Sequence, residues 1–139
     1  MIESSMSQPA PSRVPHRLLL SSPVGPLLME HDGAAVRRIR YWAQGSHPPA
    51  GTRVEPARDD ALGRAVAEQL RDYFAGKRRD FDLPLAAEGT DFRRRVWETL
   101  RRIPWGETRT YGQVAGEVGS IARAVGQANR HNPIPIVIP

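Results

Sequence analysis

The residue types best suited to chemistry lie in the last third of the chain. Arg123 stands among small residues, Ala122, Ala124 and Gly126, in the stretch ARAVGQAN. A guanidinium is planar, always charged and carries its donors in a fork that fits two phosphate oxygens. Small neighbours let such a helix approach another backbone closely. Upstream stands Thr110-Tyr111-Gly112-Gln113, and downstream come Arg130 and Asn132. These groups suit contact with a nucleic acid rather than bond breaking. Each also has a plain reading: Tyr111 as core, Arg123 as a solvated face residue, and Asn132 before Pro133 as an ordinary helix stop. The chain has no cysteine, so disulfides, cysteine-bound zinc and a thiol nucleophile within these residues are excluded. His16, His31, His47 and His131 show no metal-ligand spacing, and no metal is expected.

The elements that must position these residues can be read locally. Thr110 with Gln113 fits a capping box. Tyr111, Val114, Ala115 and Val118 then recur at helical spacing. Gly119 reads as the C-cap and Ser120 as the next N-cap. Ile121, Ala124, Val125 and Ala128 drive a second helix, closed by Asn132-Pro133. Two short helices joined by a glycine turn form a helix-turn-helix pattern. Before them, Thr90 caps a helix with the stripe Phe92, Val96, Trp97, Leu100 and Ile103, while Arg93, Arg94, Arg95, Arg101 and Arg102 fall mostly on other faces. Pro104 and Gly106 end it. Trp97 and Trp105 are assigned to packing. Ile134 to Ile138 reads as an apolar strand with nothing to cover it, so exposed apolar surface is expected there.

Upstream, residues 1–15 read as a disordered tail. Arg17 to Met29 reads as strand–turn–strand about Ser21 to Pro26, and Ala35 to Trp42 as a further strand. Residues 43–58 form a loop. Asp60 to Ala75 is a helix with the stripe Leu62, Val66, Leu70, Tyr73 and Phe74, stopped by Gly76. Phe81 to Leu85 is a short strand or an extended linker. A boundary at Ala86–Gly89 divides a domain at 16–86 from one at 87–139.

The 139 residues carry a formal charge of +5. Residues 89–139 hold eight basic and four acidic side chains, against twelve and eleven before them, so the excess lies where the helix-turn-helix lies. Of the twenty basic residues, nineteen are Arg; codon usage accounts for most of them, and the clustering is what points to nucleic acid. No apolar run approaches a membrane span and no secretory signal is visible. A cytoplasmic protein is expected, nucleoid-associated when on DNA.

The stretches GTDFRRRVWETLRRIPWGETRTYGQVA (89–115) and ARAVGQANRHNPIPIVIP (122–139) resemble the O6-alkylguanine-DNA alkyltransferases, the methylated-DNA–protein-cysteine methyltransferases. SSPVGPLLM (21–29) and LRDYFAGKRRDFDLPL (70–85) are similar to that family's N-terminal domain. The resemblance implies an α+β protein: a ribonuclease-H-like α/β N-terminal domain plus a winged helix-turn-helix domain, incomplete here. It implies a monomer that binds double-stranded DNA containing O6-alkylguanine, flips the base through the minor groove and passes the alkyl group to a cysteine, without a cofactor. Thr110 and Tyr111 then fall at the DNA, with Tyr111 crowding the 3′ phosphate. Arg123 fills the gap in the stack. Ala122, Ala124 and Gly126 form the small face in the groove, and Arg130 meets a phosphate. Asn129, Asn132, Pro135 and Pro139 match the hinge and pocket wall. The turn at 118–126 is shorter than the family's. The family pattern continues past Pro139 with Cys-His-Arg-Val, so the acceptor is expected directly after Pro139, as cysteine or as selenocysteine at a UGA codon. The 139 residues alone are then expected to be inactive. The rival readings are a non-catalytic binder of alkylated DNA, a non-functional fragment and a plain helix-turn-helix regulator.

Overall fold

Apolar residues are dense between positions 18 and 39, and they build a sheet. The computed structural model describes residues 15–139; positions 1–14 of the expected tail lie outside the described residues. Strands β1 (His16–Leu20), β2 (Leu27–His31) and β3 (Val36–Tyr41) pair antiparallel in that order. In register, Leu18 faces Met29 and Met29 faces Ile39, all three fully buried. The β1–β2 turn is closed by Gly25 N–H to Ser22 O (3.0 Å) and by the Ser22 hydroxyl to Gly25 O (2.6 Å). Gly25 sits at φ 101°, open to glycine at little cost.

Helix α1 (Ala61–Phe74) follows the loop as the apolar stripe requires. Val66 and Leu70 are buried, with Leu62, Tyr73 and Phe74 half-buried. Gln69 is also buried and fully used: its amide nitrogen donates to Asp82 O (3.0 Å) and its oxygen accepts from Asp82 N–H (2.8 Å). That pair holds Phe81–Leu85 extended beside the sheet. The segment makes one parallel bridge, Val36 with Leu85, rather than a strand, so the extended-linker reading is the right one.

The N-cap of α1 bonds both locally and far along the chain. Asp60 accepts the Gly63 amide on Oδ1 (2.8 Å) and, on Oδ2, the Nε2 proton of buried His31, 29 residues away (3.1 Å). The His31 ring stacks on His16, centroids 4.5 Å apart and planes within 5°. Burial pushes the Asp60 carboxyl up, but the Gly63 amide and the two imidazoles outweigh it and hold it below its ordinary value. Asp32 is likewise held low: burial opposes, while the Ala35 and Ala34 amides and Arg37 prevail.

The described residues divide into two compact units, 15–86 and 87–139. In the second, helices α2 (Asp91–Arg101), α3 (Tyr111–Val118) and α4 (Ala122–Arg130) pack on one another. Thr90 caps α2 through the Arg93 amide (3.2 Å). Val96, Leu100, Val114, Val118, Val125 and Ala128 form the core. Trp97 is buried and its indole N–H donates to Ala128 O (2.8 Å). Gly89 lies against that ring: a Cβ there would come within 2.5 Å of it.

Three expectations need correction. Trp105 is not packed away; 58% of it is exposed. Ser120 does not cap α4; the N-cap is Ile121, which has no capping side chain. Ile134–Ile138 is not an uncovered strand. It folds back as a turn, with Ile138 N–H to Ile134 O (3.0 Å), and Ile134, Val137 and Ile138 are buried. Alternating apolar residues read as a strand, but here Asn132 bends the chain first. Among the described residues, no helix is long and apolar enough to cross a membrane.

Candidate nucleic-acid interface

Helix α3 starts where Thr110 dictates. Its hydroxyl accepts the Gln113 amide (3.1 Å) and Gln113 Oε1 accepts the Thr110 amide (2.8 Å). This reciprocal box fixes the first residue of the helix, Tyr111. Tyr111 is 46% exposed, so the core reading fails. Its ring lies over Gly126 of α4, where a Cβ would sit 3.3 Å away. Its hydroxyl accepts a hydrogen bond from Asn129 Nδ2 (3.1 Å).

Only Gly119, Ser120 and Ile121 separate α3 from α4. Gly119 takes the left-handed conformation (φ 69°) that ends α3. The short turn brings Tyr111 onto the outer face of α4, where Ala122, Arg123, Gly126, Gln127, Asn129 and Arg130 join it around a shallow depression of about 480 Å³. Arg123 and Arg130 are exposed, and among the described residues neither has an acidic partner. With no side chain capping α4, its first amides add positive potential at the same end. The face therefore offers two cations, an aromatic hydroxyl and a helix surface floored by glycine. That combination suits an anionic backbone and stacked bases.

Six of the expected residues meet here: Tyr111, Ala122, Arg123, Gly126, Asn129 and Arg130. Gln127 joins them unforeseen, although its place four residues after Arg123 on a helix could have revealed it. Thr110 acts from below, as the cap. Ala124 is half-buried and stands outside the lining. Asn132, Pro135 and Pro139 belong to the turn after α4. The Asn132 amide donates to Ile138 O (2.7 Å) and its oxygen accepts from Ile134 N–H (2.9 Å). Pro135 bridges to Ile138, and Pro139 is exposed. Between them Ile136 stands at φ 77°, a strained angle for a β-branched residue.

In the first unit, one ligand-capable atom from each of His16, His31 and Asp60 lies within 4.8 Å of the other two. These donor types suit a transition metal, but the geometry serves the fold. His31 Nδ1 accepts the Gly33 amide (3.0 Å), which leaves the ring proton on Nε2, the atom that faces Asp60. Parallel stacked rings also do not aim their in-plane lone pairs at one point.

Comparison with known proteins decides the family. The model of the 6-O-methylguanine DNA methyltransferase ribonuclease-like domain matches residues 16–87, and that of the DNA-binding domain matches residues 91–139. The chain belongs to the 6-O-methylguanine DNA methyltransferase family. A methylated-DNA–protein-cysteine methyltransferase of Mycobacterium tuberculosis is 42% identical over 126 residues, 89% of this chain and 74% of that protein. One from Methanosarcina acetivorans is 39% identical over 124 residues, 87% of this chain and 78% of that protein. The crystal structure of the M. tuberculosis O6-methylguanine methyltransferase superposes with a TM-score of 0.77 at 40% identity, over 91% of this chain and 76% of that one. M. tuberculosis OGT in complex with DNA superposes with a TM-score of 0.73 at 40% identity, over 89% of this chain and 74% of that one. Family members named for transfer to cysteine need a thiol, and these 139 residues contain none. By themselves they cannot carry out that transfer.

Proposed function

We propose that this chain is the DNA-recognition part of a repair alkyltransferase and that it selects O6-alkylguanine in double-stranded DNA. The observation that carries this reading is the α3–α4 face, with Arg123 and Arg130 exposed and without an acidic partner among the described residues, around Tyr111 and Gly126, in a member of this family. Residues 87–139 read the DNA, and residues 16–86 form a ribonuclease-like supporting domain. Ala122 and Gly126 let α4 lie close in the minor groove, with Ala124 beside them. Arg123 enters the stack as the damaged base leaves, because a planar cation can stack and hydrogen-bond at once. Tyr111 presses on the neighbouring phosphate, and Arg130 holds a second. Asn132, with Pro135 and Pro139, sets the direction of the chain after α4. The protein works as a monomer, in the cytoplasm and on the nucleoid, away from membranes. The second reading, a non-catalytic binder of alkylated DNA, is favoured by the lack of any cysteine in these residues.

Fluorescence anisotropy on two matched duplexes, one with guanine and one with O6-methylguanine, tests the reading at fixed salt. Wild type should prefer the lesion. Arg123→Ala should weaken lesion binding roughly tenfold and remove the preference, with the melting temperature unchanged. Equal wild-type affinity for both duplexes would overturn the reading.

A further inference from the structure

We propose that Asn129 is a positioning residue for Tyr111: it fixes the direction of the phenol and of its hydroxyl proton, so that Tyr111 meets a DNA phosphate already aimed. The inference rests on the DNA reading given above and deepens it.

An exposed aromatic side chain at a helix start would normally move among rotamers. Tyr111 is constrained three times. The Thr110–Gln113 box fixes its backbone. Gly126 gives its ring a flat seat on α4, since a Cβ there would press to 3.3 Å from one ring carbon and 3.4 Å from the next. Asn129, one turn further along α4, donates its amide N–H to the phenol oxygen at 3.1 Å. The polarity of this last bond is the informative part. A phenol hydroxyl both donates and accepts. Here it accepts from the amide, and among the described residues it donates to no protein group. Its proton therefore stays free for an outside acceptor. A phosphate oxygen accepts only, and a hydroxyl-to-anion bond is charge-assisted. An amide at position 129 thus leaves Tyr111 in donor mode beside Arg123 and Arg130. A carboxylate there would do the reverse: it would take the hydroxyl proton for itself and repel the phosphate.

The alternative is that the Asn129–Tyr111 bond merely ties α3 to α4. A tie and a positioning device differ in what they move. The test uses full-length Asn129→Ala, Asn129→Asp, Tyr111→Phe and the Asn129→Ala/Tyr111→Phe pair, with anisotropy on the O6-methylguanine duplex, thermal melting, and the Cζ resonance of Tyr111 in ¹³C-tyrosine-labelled protein free of DNA. Positioning predicts that Asn129→Ala weakens lesion binding by about three- to tenfold. Asn129→Asp should weaken it more. The melting temperature should stay near wild type and the Cζ resonance should shift. Once the hydroxyl is gone Asn129 has nothing to aim, so the double variant should bind no worse than Tyr111→Phe alone. Additive losses in the double variant, or an unshifted Cζ resonance, would overturn the proposal. Arg123→Ala run alongside separates the two levels. If Arg123→Ala abolishes the lesion preference while Asn129→Ala leaves the affinity for the O6-methylguanine duplex at the wild-type value, the positioning role falls and the DNA reading stands. If wild type shows no preference, both fall.

Discussion

The two units spend their polar side chains in opposite ways. In the first, polar groups turn inward: His31, Asp32 and Gln69 are buried, and each is matched to a partner in the same unit. Glu30 gathers Arg17 and Arg40 on the sheet. In the second unit the buried polar side chain among the described residues is Thr99, which bonds to a carbonyl of its own helix, Arg95 O (2.9 Å). Its notable polar groups, Tyr111, Arg123 and Arg130, face outward, and among the described residues the two arginines lack acidic partners. A matched polar network holds a fold in one arrangement. Groups left unmatched on a rigid helix are available to something else. The contrast separates a unit whose buried polar groups are satisfied from one that keeps polar groups exposed on a helix face.

Substitutions can break that contrast if it is wrong. The largest effect is expected from His31→Ala. It removes a fully buried ring, its stack on His16 and the donor to Asp60, at about 3 kcal/mol of stability. Chemical denaturation should show that loss, while duplex affinity measured on the folded variant stays at the wild-type value. A matching loss of DNA affinity would mean that the first unit also reads DNA. Next in size is Asn132→Ala. It loses both side-chain bonds that close the turn after α4, worth about 2 kcal/mol together. Melting followed by amide resonances of the second unit would report it, and unchanged resonances at Ile134 and Ile138 would count against the role of Asn132.

The smallest effect is expected from acid. Asp32 and Asp60 are held below their ordinary value in the folded state, so the unfolded chain binds protons more readily in that range. Their contribution is complete above the unfolded carboxylate value, about 3.9, and drains away as pH falls through the lower folded values. Amide spectra recorded from pH 5 down to pH 2 should therefore lose the first unit's β2–α1 signals before those of α3 and α4. Asp60→Asn should flatten the dependence, and simultaneous loss of both sets of signals would erase the distinction.

The contrast also explains which features could be read in advance. Thr90, Thr110 with Gln113, and Gly119 act on residues three or four positions away, so their caps were visible as spacing. Tyr111 and Arg123 were visible as residue types, and one glycine turn between two short helices was enough to bring them together. Asp60 with His31 was not legible, because 29 residues and a strand separate the partners and neither belongs to a local pattern. The turn at Ile134–Ile138 is hidden from the sequence for a related reason. Its apolar alternation is that of a strand, and what overrides it is one side chain, Asn132, bonding on both sides of the bend. Gln127 carries no charge, so only its helical phase, four residues after Arg123, marks it.

Ile136 carries a consequence of its own. A β-branched residue at φ 77° is unfavourable in any isolated peptide, by roughly 1–2 kcal/mol. It persists because Ile134, Val137 and Ile138 are packed inside on either side of it. Partial opening would release the strain only by wetting those three side chains at once. The corner after α4 should accordingly have two populations and little between them: closed with the core, or open with the core lost. It is a latch whose tension and whose hold come from the same few residues.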